Sequence, residues 1–135
     1  MDYYKNAEDN AEVARLSYEN GKYQVSISLS CLAVELYLKS VLGLVSHSID
    51  LETSHDVINI YRCISKRYKS KTDLLPYLVQ CRKYFNEARY PTSNSAVYTR
   101  EFSEEFLDYV SAVKEFVDSQ CKADIEDLAD KFNKH

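Results

Sequence analysis

The sequence predicts an all-α fold. Three observations carry that prediction. First, 135 residues contain only two Gly and two Pro, whereas strands need turn residues at short, regular spacing. Second, apolar residues recur at steps of three and four along most of the chain, the period of a helix. Third, the stretch from Lys22 to Ser46, KYQVSISLSCLAVELYLKSVLGLVS, is apolar almost all the way round. A surface helix carries one apolar stripe, so this segment must be covered by protein on several sides and reads as the central helix.

Helical projection divides that segment into four stripes. Val25, Leu29, Leu32 and Leu36 share one face, and Ile27, Val34, Leu38 and Val41 another. A narrow stripe of small residues, Ser26, Ser30, Ala33 and Ser40, allows close approach of a neighbour. A polar stripe, Gln24, Ser28, Cys31, Glu35 and Lys39, is the anomaly, because Glu and Lys are rarely buried unless paired.

The remaining elements follow in order. A first helix runs from about Asp2 to Glu19, with Tyr4, Ala7, Ala11, Ala14 and Tyr18 on one narrow face and Asp2 placed to cap it. Asn20-Gly21 ends it, both residues tolerating the left-handed conformation, and turns the central helix back antiparallel. The central helix ends between Gly43 and Ser46, and His47 to Thr53 reads as a short loop. Thr53 or Ser54 is positioned to cap a third helix carrying Val57, Ile60 or Tyr61, Ile64 and Tyr68, with His55 in its first turn. Lys66 to Lys71 reads as an exposed basic loop. Thr72 or Asp73 caps a fourth helix that buries Leu74, Leu75, Leu78, Cys81 and Phe85, and Pro76 is tolerated in its first turn. Ala88 to Ala96 is loop by composition. Thr99 caps a fifth helix with an aromatic stripe, Phe102, Phe106, Tyr109, Val113 and Phe116. A short sixth pattern, Ile125, Leu128, Ala129 and Phe132, closes the chain. The expected organisation is a bundle over residues 1–121 and an acidic C-terminal helix or tail over 122–135.

The formal charge of −4 gives the whole chain no nucleic-acid signature. Charge is uneven, however: Arg62, Lys66, Arg67, Lys69, Lys71, Arg82, Lys83 and Arg89 make a basic middle, and the chain after Arg100 is acidic. This permits either a local anion site or ordinary charge pairing between helices. The four cysteines, Cys31, Cys63, Cys81 and Cys121, lie far apart in apolar patterns, which fits buried free thiols in a reducing cytosol and no zinc site. No metal or cofactor is expected. The polar, acidic N-terminus does not read as a signal peptide, and no window of about 18 consecutive apolar residues is present to span a membrane.

Chemistry-bearing residues are few. There is no Gly-x-Ser-x-Gly elbow and no Gly-rich phosphate loop. Of the three histidines, His135 is terminal, His47 lies in a loop, and His55 precedes Asp56 at a helix start. Glu35 and Lys39 stand four apart in the favourable order for an ion pair; they read either as a pair that aligns helices or as the wall of a polar cleft. Arg89-Tyr90-Pro91 pairs a phosphate-binding guanidinium with an aromatic ring that could stack a base.

In order and spacing, Gly21-Lys22-Tyr23, the run Ala33-Val34-Glu35-Leu36-Tyr37-Leu38-Lys39, Ser54-His55-Asp56 and Arg89-Tyr90-Pro91 resemble the HEPN family (higher eukaryote and prokaryote nucleotide-binding domain) over roughly Tyr4 to Gln120. The resemblance implies an up-and-down bundle of about five helices, a homodimer, and a toxin–antitoxin or defence setting in the cytoplasm. Many members of the family are metal-independent RNases that carry an Arg followed after four to six residues by a His. Here the arginines are Arg15, Arg62, Arg67, Arg82, Arg89 and Arg100, and none is followed by a His at that spacing. The resemblance therefore favours the members that lack the RNase motif, which bind a nucleotide or nucleic acid or partner a minimal nucleotidyltransferase. On that basis Arg89, Tyr90, Lys39, Glu35 and His55 are the candidate phosphate or nucleotide site, aided by the basic loop Lys66, Arg67, Lys69 and Lys71, with no catalytic residue assigned. The alternatives are a divergent endoribonuclease using Arg89 with Tyr90 or His55, and a purely structural dimerisation protein.

Overall fold

The computed structural model describes residues 2–89 and 98–133, Arg89 in its backbone only. Among the described residues it contains seven helices and no strand: α1 (Tyr3–Glu19), α2 (Tyr23–Leu42), α3 (Ile49–Thr53), α4 (Val57–Ile64), α5 (Leu75–Arg89), α6 (Arg100–Gln120) and α7 (Lys122–Asn133). The fold is an all-α bundle closed by a short C-terminal helix.

The Asp2 side chain accepts from Lys5 N at 3.0 Å and starts α1. Gly21, at φ +76°, ends it, while Asn20 keeps an ordinary φ of −93°. Only one residue therefore needs the left-handed region that favours glycine. Ring contacts fix the direction of the next helix. Tyr18 meets Tyr23 at one end and Tyr4 meets Tyr37 at the other, so α1 and α2 are antiparallel. Tyr4 also donates to Asp118, and Tyr18 to Glu104, which sets α6 antiparallel to α1. Ring pairs Tyr77–Tyr109 and Tyr84–Phe102 do the same for α5 and α6.

α2 is the central helix. It packs against α1, α4, α5 and α6, and Ile27, Ala33, Val34, Tyr37, Leu38 and Val41 are buried. Ser26, Ser30 and Ala33 are fully buried by the chain's own helices, where their small size lets a neighbour come close. By length and composition α2 could cross a membrane, but 67% of its apolar window is buried inside the bundle, as expected for a core helix. The stripe Val25, Leu29, Leu32 and Leu36 is less well covered: Val25 is 46% exposed and the three leucines are half-buried.

Several boundaries differ from the sequence expectation. The stretch expected as loop after α2 contains α3, five residues long. Ser48 caps it by accepting from Leu51 N, and Thr53 Oγ1 donates back to Ile49 O. Such a helix is too short to display periodicity, so its local hydrogen bonds are what define it. Thr53 thus ends α3, and the cap of the next helix is Asp56, which accepts from Ile58 N and Asn59 N. His55 consequently lies outside α4, immediately before its cap. α4 stops at Ile64, so Tyr68 is buried from the basic loop and not from the helix. Leu75 is 39% exposed, and Leu74, just before α5, is the buried residue. The expected caps at Asp73 and Thr99 are present. Asp56→Ala is expected to destabilise the fold by about 0.5–2 kcal/mol through loss of the α4 cap, read by urea denaturation.

Cys31, Cys81 and Cys121 are buried, and none of the four cysteines is in a disulfide. Burial, reinforced by Asp124, pushes the Cys121 thiol up to about 12, so it is inert at neutral pH. Tyr68 donates to Asp124 at 2.6 Å, and Arg67 lies 4.0 Å from the same carboxylate. These contacts tie α7 to the basic loop, one case where the basic middle and the acidic end do pair. Burial and then that hydrogen bond raise the Tyr68 hydroxyl to about 12. α7 otherwise sits lightly: no residue of it is buried, and Phe132 is 74% exposed.

Candidate functional site

The polar stripe of α2 has a buried part. Lys39 Nζ donates to Glu35 Oε2 at 3.1 Å, and the two side chains are 7% and 3% exposed. The pair is almost wholly removed from water, and a pair in that position needs further hydrogen bonds to be tolerable. The second oxygen of Glu35 makes one. Glu35 Oε1 lies 2.9 Å from His55 Nδ1. An ionised carboxylate only accepts, so Nδ1 carries the hydrogen and Nε2 is the nitrogen turned away from Glu35. The His55 side chain is 62% exposed.

The surroundings of His55 come from three elements. Its ring stacks on Phe85 of α5 at 5.1 Å with 22° between planes. Ser54 accepts from Asp56 N, and Asp56 caps α4. Asp56 Oδ2 lies 3.7 Å from Arg82 Nη1, one turn before Phe85 on α5. The sequence Ser54-His55-Asp56 thus divides its labour: a turn, an exposed imidazole and a helix cap. A buried carboxylate and a flat aromatic ring fix the imidazole's orientation, while its outer edge stays in solvent.

Of the residues singled out from the sequence, Glu35, Lys39 and His55 come together. Glu35 and Lys39 do not line open space at His55; they lie beneath it. Arg89 ends α5, one turn beyond Phe85, and Gln24 Nε2 donates to the neighbouring Ala88 O at 2.8 Å. The Arg89 side chain and all of Tyr90 lie outside the described residues. The basic loop is not part of the cluster. It follows the far end of α4, roughly 12 Å from Asp56 by helical rise. There Arg67 donates to Leu44 O at 3.1 Å, and Lys69 donates to Ser65 O. Arg82 and Phe85 also surround His55, a grouping not expected from the sequence, and Asp56 of the quoted motif faces Arg82. Phe85 read as core and Arg82 as general charge; the available signal was their i,i+3 spacing on one helix, with Arg89 a further seven residues from Arg82.

A cavity of about 270 Å³ adjoins the cluster, lined by Tyr3, Lys39, Ser40, His47, Ser48 and Glu52 among others. Tyr3 OH donates to Glu52 Oε1 at 2.9 Å. Burial, then Glu52, raises the Tyr3 hydroxyl above its usual range. His47, expected in a solvated loop, is exposed and forms part of this rim.

The motif residues that meet at His55 are 20 apart in sequence, and a family model described as HEPN domain matches residues 1–120. The chain belongs to the HEPN domain family. No curated protein and no solved structure matches it. The match ends at the last residue of α6 and leaves α7 beyond it. In this HEPN domain the Glu and Lys of Ala33–Lys39 and the His of Ser54-His55-Asp56 form one hydrogen-bonded chain from the core to the surface. Family membership carries the coarse expectation of a nucleotide- or RNA-related, or toxin–antitoxin-type, role.

Proposed function

We propose that this HEPN domain is a non-catalytic cytoplasmic module that binds the phosphate of a nucleotide or nucleic acid at the His55 face. It would act with a partner protein such as a minimal nucleotidyltransferase, in a toxin–antitoxin or defence setting. The observation that carries this reading is the exposed imidazole held by buried Glu35 against Phe85, with Arg82 on the next turn. Imidazole and guanidinium N–H groups are natural donors to phosphate oxygens, and charge-assisted bonds of this kind are the strong ones. Arg89, the last residue of α5, and Tyr90, which follows it in sequence, are proposed as further ligand contacts. The half-covered stripe Val25, Leu29, Leu32 and Leu36 favours a homodimer. Light scattering at micromolar concentration should give the mass of two chains, and a one-chain mass would remove the dimer.

Calorimetric titration with ATP and with a short single-stranded RNA tests the ligand. His55→Ala should weaken binding about 10- to 100-fold, the worth of a charge-assisted hydrogen bond, and Arg82→Ala should weaken it too. Lys69→Ala, in the loop at the far end of α4, should leave it unchanged. Equal loss in Lys69→Ala, or no binding by the unmodified chain, would contradict the reading.

One observation favours the runner-up, a divergent metal-independent endoribonuclease: an imidazole oriented by a buried carboxylate is the arrangement of a general base. RNA cleavage in the presence of chelator, lost in both His55→Ala and Arg89→Ala, would reverse the ranking.

A further inference from the structure

We infer that anion binding at this face takes up a proton on His55, so that the imidazole is the charge switch of the site. This rests on the phosphate-binding reading above and adds to it which group supplies the positive charge, and when.

The charges around His55 come from four elements. From α2 come Glu35 and Lys39, which pair with each other at 3.1 Å. From the start of α4 comes Asp56, and from α5 comes Arg82, which face each other at 3.7 Å. From α3 comes Glu52, which accepts the Tyr3 hydroxyl. Phe85 contributes a ring and no charge. The two opposed pairs cancel, and with neutral His55 these four groups offer an anion no surplus positive charge; the Arg89 side chain lies outside the described residues.

Protonation changes that at one atom. Nδ1 already donates to Glu35 in the neutral form, so the proton adds at Nε2, on the exposed side. The new N–H is a donor carrying part of a full positive charge, on the side of the ring away from the carboxylate that lies 2.9 Å from Nδ1. An anion therefore selects the protonated form. By linkage its affinity must fall as pH rises, by up to about tenfold per pH unit where free His55 is neutral and bound His55 is charged.

The test uses the full chain and inorganic sulfate, which stays a dianion across the range where imidazoles titrate, so any pH slope belongs to the protein. The histidine Cε1–Hε1 resonances are followed by NMR from pH 5 to 8.5 with and without sulfate. Sulfate should raise the titration midpoint of His55 and leave that of His47 in place. Sulfate affinity should fall with pH in the unmodified chain and become flat in His55→Gln, whose side-chain amide can still donate to Glu35. A slope that survives in His55→Gln, or a pH-independent affinity, overturns the proton switch and leaves the phosphate reading standing. No response of His55 to sulfate also overturns the switch, and the ATP titration then decides the phosphate reading separately.

Discussion

Glu35→Ala is expected to destabilise the domain by about 3–5 kcal/mol, one of the two largest effects we predict. The reason is asymmetric desolvation. Lys39 is 7% exposed and its ammonium is paired with Glu35. Removing Glu35 leaves that charge buried without its counter-ion, the costly way to break a buried pair. Removing both charges is a different matter. Glu35→Leu with Lys39→Met replaces the pair by apolar side chains of similar volume and should be near neutral in stability, while freeing His55 from its support. Urea denaturation of the single and double variants separates the cases. A cost below about 1 kcal/mol for Glu35→Ala would mean the pair behaves as a solvated surface pair, and the buried chain from Lys39 to His55 would lose its basis.

The second large effect is Phe106→Ala, expected to cost about 3–5 kcal/mol. Phe106 is fully buried, with Phe102, Tyr109 and Tyr84 around it at ring separations of 5.2, 5.1 and 5.9 Å. Truncation leaves a cavity that three bulky rings fill poorly. Because Tyr84 belongs to α5, which also carries Arg82 and Phe85, the same variant should loosen the support of His55. The contrast is Phe132→Ala in α7: that ring is 74% exposed, and its removal should stay within about 0.5 kcal/mol of the unmodified chain. Equal losses in the two variants would contradict the core assignment.

How much of this was legible in the sequence depends on the range of the interactions involved. The five long helices were readable because each repeats its apolar face over several turns, and their caps at Asp2, Asp73 and Thr99 because a cap is a local hydrogen bond. α3 was not readable, since five residues complete barely more than one turn. The start of α4 was misplaced for a related reason: Thr53, Ser54 and Asp56 are all competent caps, and only packing selects Asp56. The α2 residues of the site were legible as an anomaly, two charges on an otherwise apolar helix. Their third partner was not derivable from spacing. The contact from Glu35 to His55 spans 20 residues and the short helix α3, which shows no periodicity. It was approached only through the family resemblance. Arg82 and Phe85 stayed hidden because burial alone explains Phe85, and the tertiary contact with Asp56 alone marks Arg82. The basic loop was over-read: its charges are dense in sequence, but the fold carries them to the other end of α4.

The central claim is that the hydrogen-bonded chain Lys39–Glu35–His55 presents a ligand-binding imidazole at the surface. The most direct measurement is the change in histidine and arginine side-chain NMR resonances when ATP is added to the full chain. His55 and Arg82 should shift together and saturate, with adenosine producing no comparable change because it lacks phosphate. Shifts confined to the Lys66–Lys71 loop, or an unmoved His55 at saturating ATP, would contradict it.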